Sequence, residues 1–313
     1  MAGYLIRRLL ASIPVMGVVA LFVFLLLRLT PGDPAAIIAG DTATPEQLER
    51  IRTSLGLNEP LVTQFVTWLG QILQGDLGVS LISNVPVLTM IGQRLEPTIS
   101  IALTTMVLAV VVAVPLGVVA AWKQGTWIDR CVMGLSVLGF SVPVFVIGYV
   151  LVQVFAIDLH WLPVQGFRSI TKGVWPFFER ALLPTLALSF IYVALIARMT
   201  RASMLDVLGE DFVRTARAKG IAERHVLLKH ALRNAAVPVI TVIGTGFGLL
   251  ISGVVVTESV FNLPGIGRLT VDAVLARDYP VIQGVILLTS ALYVAINLLI
   301  DVAYTFLDPR IRY

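Results

Sequence analysis

Long apolar stretches separated by polar connections set the hydrophobic pattern of this chain. A helix needs about 20 mostly apolar residues to cross a bilayer. Six stretches reach or approach that length, at residues 9–29, 97–122, 131–157, 181–197, 234–257 and 279–300. The pattern therefore predicts an all-α integral membrane protein with six transmembrane helices.

The fourth stretch is the shortest, and Arg180 and Arg198 flank it. Long cationic side chains bury their stems while the charge stays in water, so we expect both arginines to lengthen this span. The first stretch is long for the apolar region of a signal peptide, and no clean cleavage site follows it. We therefore expect a retained first span.

The connection at 30–96 is long enough to fold and carries helix signals. Thr44-Pro45-Glu46-Gln47 is typical of a helix start, with a threonine cap and a glutamine three residues later. Gly56 and Gly75 are the expected ends of this helix and of a second one over 60–74, and residues 85–95 predict a third that leads into the second span. The run Pro31-Gly32-Asp33-Pro34 predicts a turn at the membrane surface.

The connection at 203–235 is the most charged part of the chain. Phe212, Val213 and Ala216 recur at helical spacing, Gly220 interrupts them, and a second periodic run follows. This predicts a short helix, a glycine bend and a second helix that returns to the bilayer.

Two interpretations of this loop remain open. It could be a solvated cationic connector that only anchors its flanking spans. Alternatively, it docks a cytoplasmic partner: small side chains permit close approach, and cations offer charge complementarity. The candidate docking residues are Arg214, Thr215, Ala216, Arg217, Ala218, Lys219 and Gly220.

Inside the spans, proline and small residues are the notable features. Pro143 removes a backbone hydrogen bond, and Ser136 or Ser141 could satisfy the freed group, so we expect a kink. The fifth span is rich in small residues, which indicate either tight helix packing or a helix that lines a pathway. The candidate pathway-lining residues are Ser141, Thr241, Gly244, Thr245, Gly248 and Ser252.

Near the other membrane surface, Pro264, Gly265 and Gly267 predict a tight reversal before a short apolar helix at 269–276. We take Asp33, Glu258 and Asn262 as candidate functional residues on the outer face. Asp301 lies at the inner end of the last predicted span, and a structural role, snorkelling or pairing with Arg310, is favoured over a functional one.

Composition agrees with the pattern. The chain is 57% hydrophobic and 13% charged, whereas a soluble domain has about 45–50% apolar and about 25% charged residues. Its single cysteine, Cys131, excludes an internal disulfide and a cysteine-rich metal site. Nothing in the composition indicates nucleic-acid binding.

Lysine and arginine are distributed unequally between the two sets of connections. Residues 1–8, 123–130, 198–233 and 308–313 hold 14 of them in 58 residues, whereas residues 30–96, 158–180 and 258–278 hold 8 in 111. Cytoplasmic loops carry the excess of cations. We therefore expect cytoplasmic termini and divide the chain into a first span at 1–29, an extracytoplasmic helical loop at 30–96 and a five-span core at 97–313.

Motifs for chemistry are lacking in the sequence. It has no Gly-x-x-x-x-Gly-Lys-Ser/Thr loop, so we do not expect the chain to hydrolyse ATP. Its three histidines, His160, His225 and His230, are divided between opposite sides and imply no metal cluster. No catalytic triad or His-Glu-x-x-His motif suggests a membrane enzyme.

Several motifs together resemble one known family. The run 214–220, Arg-Thr-Ala-Arg-Ala-Lys-Gly, and the run 230–235, His-Ala-Leu-Arg-Asn-Ala, are similar to the coupling loop of the dipeptide/oligopeptide/nickel ABC importer permeases. Ala216, Gly220 and Leu232 fit the general importer pattern, while Arg214, Thr215, His230 and Arg233 depart from it. The Pro-Gly-Asp-Pro run, the long first loop, the runs at 258–268 and 277–284, and the C-terminal run at 308–312 resemble the B-type subunit of that family.

The resemblance implies a transmembrane permease subunit in the bacterial inner membrane that is not itself an enzyme and binds no cofactor. It would form half of a pathway for small peptides beside a homologous C-type permease. Two ABC ATPase subunits would carry ATP and Mg and engage the loop at 203–235, and an extracytoplasmic solute-binding protein would deliver the solute. Nickel chelates or glutathione remain alternative substrates, and an ion-coupled secondary transporter remains an alternative class.

Overall fold

A computed structural model describes residues 2–29, 35, 44–54 and 56–307, although the side chains of a few of these, Ser252 among them, lie outside the description. Over these residues the chain is helical, with one isolated bridge between Val79 and Pro86. The helices are α1 Ala2–Leu29, α2 Pro45–Ser54, α3 Leu61–Leu73, α4 Val87–Trp122, α5 Trp127–Ser141, α6 Val144–Leu151, α7 Val174–Leu208, α8 Asp211–Ala218, α9 Leu232–Gly253, α10 Val255–Val260, α11 Ile266–Leu275 and α12 Tyr279–Leu307.

Five helices of the described chain are long and apolar enough to cross a membrane: α1, α4, α7, α9 with the turns before it, and α12. A sixth span results only if α5 and the helix at 144–158 count as one, since they are bent by 99°. The predicted all-helical membrane fold is confirmed, and the predicted kink at Pro143 is a sharp break. The hydroxyls of Ser136 and Ser141 do not meet the expected freed group; each donates to the carbonyl oxygen four residues earlier.

Small residues hold the centre of the bundle together. The long helices α4 and α7 lie side by side, and Ala109, Ala113 and Ala187 between them are fully buried. A β-carbon added at Gly117 would come within 2.5 Å of the Thr200 side chain. Backbones can approach this closely only where side chains are small, so this contact fixes α4 against α7.

Helix α7 is longer than the predicted fourth span at 181–197. It has 35 residues and continues well beyond both ends of the predicted stretch. The Arg180 guanidinium donates to the carbonyl oxygen of Gln165 at 2.7 Å and thereby holds the preceding loop. The span therefore owes its length to a continuous helix.

The helices of the first loop start and end as the sequence predicts. The Thr44 N–H donates to Gln47 Oε1 at 3.0 Å, and the Gln47 N–H donates to Thr44 Oγ1 at 3.3 Å, which together form a capping box for α2. Gly56 and Gly75 adopt φ of +65° and +84° at the ends of α2 and α3. The predicted third helix is continuous with the second span in α4, and the predicted turn at 31–34 lies outside the described residues.

A second apolar cluster joins the start of α4 to α11 and the start of α12. Val87 and Ile91 are buried there with Leu269 and Val281. The Asp278 carboxylate accepts hydrogen bonds from the Ser80 hydroxyl and from the Leu81 N–H, so it ties the loop before α4 to α12. The predicted short helix after the reversal is confirmed as α11.

Asp301 has a different partner from the one expected. Its carboxylate is bound by the Arg8 guanidinium through contacts of 2.6 and 2.7 Å. Arg310 lies outside the described residues. The ion pair joins the first helix to the last and supports the structural interpretation of Asp301.

Candidate functional site

The loop between α7 and α9 is built on a short helix with two anchoring side chains. Val213 and Ala216 of α8 are buried against Val226, and Val207 and Leu208 at the end of α7 complete the cluster. Burial of a valine contributes about 1.5–3 kcal/mol. The loop is therefore seated on the bundle by its own apolar face.

A complete Schellman motif ends α8. The Ile221 N–H donates to the Ala216 carbonyl oxygen at 3.3 Å, and the Gly220 N–H donates to the Arg217 carbonyl oxygen at 2.9 Å. Gly220 has φ of +74°, a conformation that side chains with a β-carbon rarely adopt. Ile221 packs on the anchoring cluster, as this motif requires. The predicted helix, glycine bend and helical return are confirmed.

The opposite face of α8 points away from the chain. The exposed residues of this segment are Asp211, Phe212, Arg214, Thr215, Arg217, Ala218 and Lys219. Phe212 is 43% exposed, which is unusual for a phenylalanine beside water. Arg214 reaches only Asp211 on the same helix, at 3.2 Å, and an exposed pair of this kind contributes at most about 1 kcal/mol. This face is free to meet another protein.

One expectation about α8 changes once its faces are known. Phe212 lies one turn before Ala216, at the edge of the buried face, and remains 43% exposed. Ala216 is 7% exposed and packs inward, so it cannot provide close approach to a partner. Ala218 keeps that possibility, since it lies on the exposed face.

Arg217 is already paired within the chain. Its Nη2 lies 2.8 Å from Glu223 Oε1, and its Nε donates to Glu223 Oε2 at 3.2 Å. This bidentate bond raises the pKa of Arg217. It also joins the two segments on either side of the glycine bend. The charge of Arg217 suggests a partner on another protein, but its partner in the structure is Glu223, which lies six residues away beyond the bend.

The candidate pathway residues of α9 fall on two faces. Gly244 and Gly248 face α12: a β-carbon at Gly244 would overlap Ile300, and one at Gly248 would lie 2.8 Å from the Tyr293 ring. Thr245 is exposed, and its hydroxyl donates to the Thr241 carbonyl oxygen at 2.8 Å. The glycines therefore serve close packing within the chain, while Thr245 lies on a surface.

The remaining pathway candidates are Ser141, Thr241 and Ser252. Ser141 is exposed at the end of α5, and the Thr241 hydroxyl donates to the Val237 carbonyl oxygen at 2.9 Å. The side chain of Ser252 is outside the description.

The outer-face candidate Glu258 is buried, with 1% of its surface exposed. Its carboxylate accepts a hydrogen bond from the Thr98 hydroxyl at 2.6 Å and another from the Arg268 N–H at 2.8 Å. Burial raises its pKa, and these hydrogen bonds oppose the rise. Gly265 leaves the space that the carboxylate fills, because a β-carbon there would overlap it. Glu258 thus fastens the reversal before α11 to α4.

Asn262 remains exposed on this reversal, with φ of +50°. Its Oδ1 accepts a hydrogen bond from the Arg268 guanidinium, and its Nδ2 donates to Gln165 Oε1 at 3.4 Å. Asp33 lies outside the described residues.

An ion pair that sequence reasoning missed lies near the candidate docking loop. The Arg201 guanidinium on α7 donates hydrogen bonds to both carboxylate oxygens of Asp129, at 2.5 and 2.8 Å. The Gly125 N–H donates a third hydrogen bond to this carboxylate at 3.0 Å. Asp129 is 4% exposed. Because α7 leads into the docking loop, this pair connects that loop to α5.

Two family comparisons cover almost the whole chain. Residues 113–313 match the family described as binding-protein-dependent transport system inner membrane component. Residues 1–102 match the N-terminal family of the membrane components of these systems.

Curated relatives and one solved structure agree with this match. A protein of Sinorhizobium fredii named "Probable peptide ABC transporter permease protein" is 58% identical over 313 residues, the full length of both chains. The glutathione transport system permease protein of Escherichia coli is 46% identical, also over the full length of both. An inward-facing structure of the MetNI methionine ABC transporter matches with a TM-score of 0.57 and 16% identity, over 70% of this chain and 96% of that chain, which shows a common fold.

Proposed function

The chain belongs to the family of binding-protein-dependent transport system inner membrane components, and from that premise we propose that it forms half of a translocation pathway for small peptides. It is a multi-pass permease subunit of a binding-protein-dependent ABC importer. The other half of the pathway would come from a homologous C-type permease. ATP and Mg would be held by two separate ATPase subunits, and an extracytoplasmic binding protein would deliver the solute.

We propose that the exposed face of α8 contacts the ATPase subunits. This face presents an aromatic ring at Phe212, a small residue at Ala218 and cations at Arg214 and Lys219. It also carries the exposed carboxylate of Asp211, which pairs with Arg214. An apolar anchor inside a polar rim is the usual composition of a protein-binding surface. The inward face is fixed by Val213, so a force on α8 would reach the bundle directly.

The orientation in the membrane follows from the uneven distribution of lysine and arginine. Both termini and the loop at 203–235 would lie in the cytoplasm of a bacterial cell, and the helices α2 and α3 would lie outside. Closure of the ATPases on ATP would move the two docking loops of the permease pair. The bundles would then switch between inward-facing and outward-facing arrangements.

The substrate class is proposed from the relatives. A full-length relative at 58% identity is named for peptides, and one at 46% identity is named for glutathione, itself a small peptide. We therefore propose small peptides as the class and glutathione as the second candidate. Uptake of labelled dipeptides, oligopeptides and glutathione by cells with and without the transporter would rank these substrates.

The test of coupling is substitution of Ala218 by tryptophan. A large ring on the exposed face of α8 would clash with a docked ATPase while it leaves the buried anchors of α8 untouched. We expect the complex purified through this chain to lose most of its ATPase subunits and cells to lose most uptake. Co-purification and uptake assays measure the two effects.

Ala276→Trp is the matched control, since Ala276 is an exposed alanine after α11 on the proposed outer side. We expect this variant to retain its ATPases. Full ATPase binding by Ala218→Trp would show that α8 is only a solvated connector.

A further inference from the structure

The helix α3 of the first loop has an unusual surface. None of its 13 residues is charged. Its exposed residues include Val62, Val66 and Leu73, which are 74%, 62% and 80% exposed. On a helix these three side chains fall within about 40° of one another, at a period of 3.6 residues. Leu69, which is half-buried, lies beside them, and the four form an apolar stripe of residues 62, 66, 69 and 73.

The apolar surface of α3 continues from this stripe to a buried contact with the first span. Phe65 and Trp68 lie next to the stripe on the helix surface, and their ring centroids are 5.2 and 5.6 Å from that of Phe24. Phe24 of α1 is 1% exposed. One half of the apolar arc is therefore covered by α1, and the other half is uncovered.

The polar side of α3 borders an open cleft. Thr63, Gln64, Thr67 and Gln71 line a cavity of about 650 Å³ between the first loop and the start of α12, and Thr63, Thr67 and Gln71 remain exposed. A soluble surface helix turns its polar side to water and covers its apolar side with protein. In α3 half of the apolar side is exposed as well, which suits a helix whose outer neighbour is apolar.

The surface beside α3 points to the identity of that neighbour. Helix α1 is a candidate membrane span with only 17% of its apolar window buried, and it exposes Val18 and Phe22 at 68% and 62%. Phe24 is on a different face of α1 from Phe22, since the two are about 200° apart on the helix. It lies near the end of the candidate span Ile6–Leu26, so its contacts with Phe65 and Trp68 place α3 at the level of that end of the span. The apolar stripe of α3 therefore lies at the level where a bilayer crossed by α1 would end.

We propose that α3 lies in the membrane interface, with residues 62, 66, 69 and 73 in contact with lipid acyl chains. An amphipathic helix in the interface plane buries its apolar side at the boundary between headgroups and acyl chains. With 13 residues, α3 is about 20 Å long and cannot cross the bilayer.

The experiment places a nitroxide label at Val66→Cys in a Cys131→Ser background. The complete transporter is reconstituted into bilayers of phosphatidylethanolamine and phosphatidylglycerol. Collision rates with oxygen, which concentrates in lipid, and with a water-soluble nickel chelate are then measured. The Cys131→Ser parent without an added cysteine gives the background from the partner subunits, and uptake by each labelled variant reports that it is folded.

Two reference positions give the collision rates expected in lipid and in water. Phe22→Cys on the exposed side of α1 reports lipid, and Glu46→Cys at the exposed start of α2 reports water. We expect the label at 66 to resemble that at 22, with oxygen collisions exceeding nickel-chelate collisions. A label at 66 that resembles position 46 would place the stripe in water and overturn the proposal. Low collision rates with both reagents would show that another protein subunit covers the stripe, which would overturn it equally.

Discussion

At the scale of single residues, Gly248 is where α9 and α12 approach most tightly around an aromatic ring. A β-carbon at Gly248 would lie 2.8 Å from the Tyr293 ring, so leucine there would push the two helices apart. Overpacking of this kind costs about 1–3 kcal/mol. We expect Gly248→Leu to lower the thermal unfolding midpoint of the purified complex and to reduce uptake.

Gly134→Leu is the control, because nothing lies within 4 Å of a β-carbon added at Gly134. The second change Tyr293→Ala should restore part of the midpoint lost in Gly248→Leu by making room for the new side chain. If Gly248→Leu keeps wild-type stability, the helices are free to separate there and this packing argument fails.

The ion pair between Arg217 and Glu223, which spans the bend at Gly220, can be tested by exchanging the two charges. The two side chains are 42% and 35% exposed, so their bond contributes at most about 1 kcal/mol in water. Arg217→Glu places two carboxylates together, and we expect it to loosen the bend and weaken ATPase co-purification. Adding Glu223→Arg to that variant restores the pair with reversed polarity.

We expect the exchanged pair to recover most ATPase binding, as measured by co-purification with the ATPases at equal expression. Loss of binding in the exchanged pair as well would mean that the Arg217 charge itself contacts the ATPase. The structural role assigned to this pair would then be insufficient.

At the scale of helices, the pair Asp129–Arg201 holds α5 to α7 immediately before the docking loop. Asp129 is buried, whereas the Arg201 side chain is 24% exposed, so Asp129→Asn leaves a charge that water still reaches. The loss should therefore be smaller than the about 3–5 kcal/mol that removal of one partner from a fully buried pair costs. We expect Asp129→Asn to lower the unfolding midpoint. The double variant Asp129→Asn/Arg201→Gln should be less destabilised, since no charge is then isolated.

A thermal scan of the wild type, both single variants and the double variant completes this cycle. Equal and additive losses from the two single changes would show that the residues act independently. The contact between α5 and α7 would then need another explanation.

Local signals explain why several elements could be predicted from the sequence. The capping box at Thr44 and the positive φ of Gly56, Gly75 and Gly220 depend only on neighbouring residues. The length of the apolar stretches also identifies the long helices, because a span must satisfy its own backbone hydrogen bonds.

Features that depend on distant contacts could not be predicted in this way. Asp129 and Arg201 are 72 positions apart, so no local pattern joins them. The spacing of α8 gives a helix but does not say which side meets the bundle, and Ala216 was therefore assigned to a partner. The size of the bend at Pro143 likewise depends on what surrounds it, not on the proline alone.

At the scale of the whole molecule, the orientation in the membrane is open to direct measurement. The native Cys131 is exposed near the start of α5, on the side we assign to the cytoplasm. We expect it to react with an impermeant maleimide only after the membrane is permeabilised. In a Cys131→Ser background, Glu46→Cys should react in spheroplasts without permeabilisation.

Position 46 is preferred to its neighbour because the Gln47 side chain belongs to the capping box of α2. Expression of both variants at equal levels, with the cysteine-free parent as the blank, makes the labelling comparable. Reaction of Cys131 in intact spheroplasts would reverse the assigned orientation.

The 36-residue helix α4 has a mechanical consequence for this molecule. It is about 54 Å long, whereas the hydrocarbon core of a bilayer is about 30 Å thick. One of its ends is buried among α11 and α12 through Val87, and the other contacts Met204 of α7 through Ala121, a few residues before α8. Between those ends Ala109 and Ala113 pack closely against α7, so the two helices would move together. A displacement beside the loop at 203–235 would then be carried along α4 to its contacts with α11 and α12 near the other membrane surface.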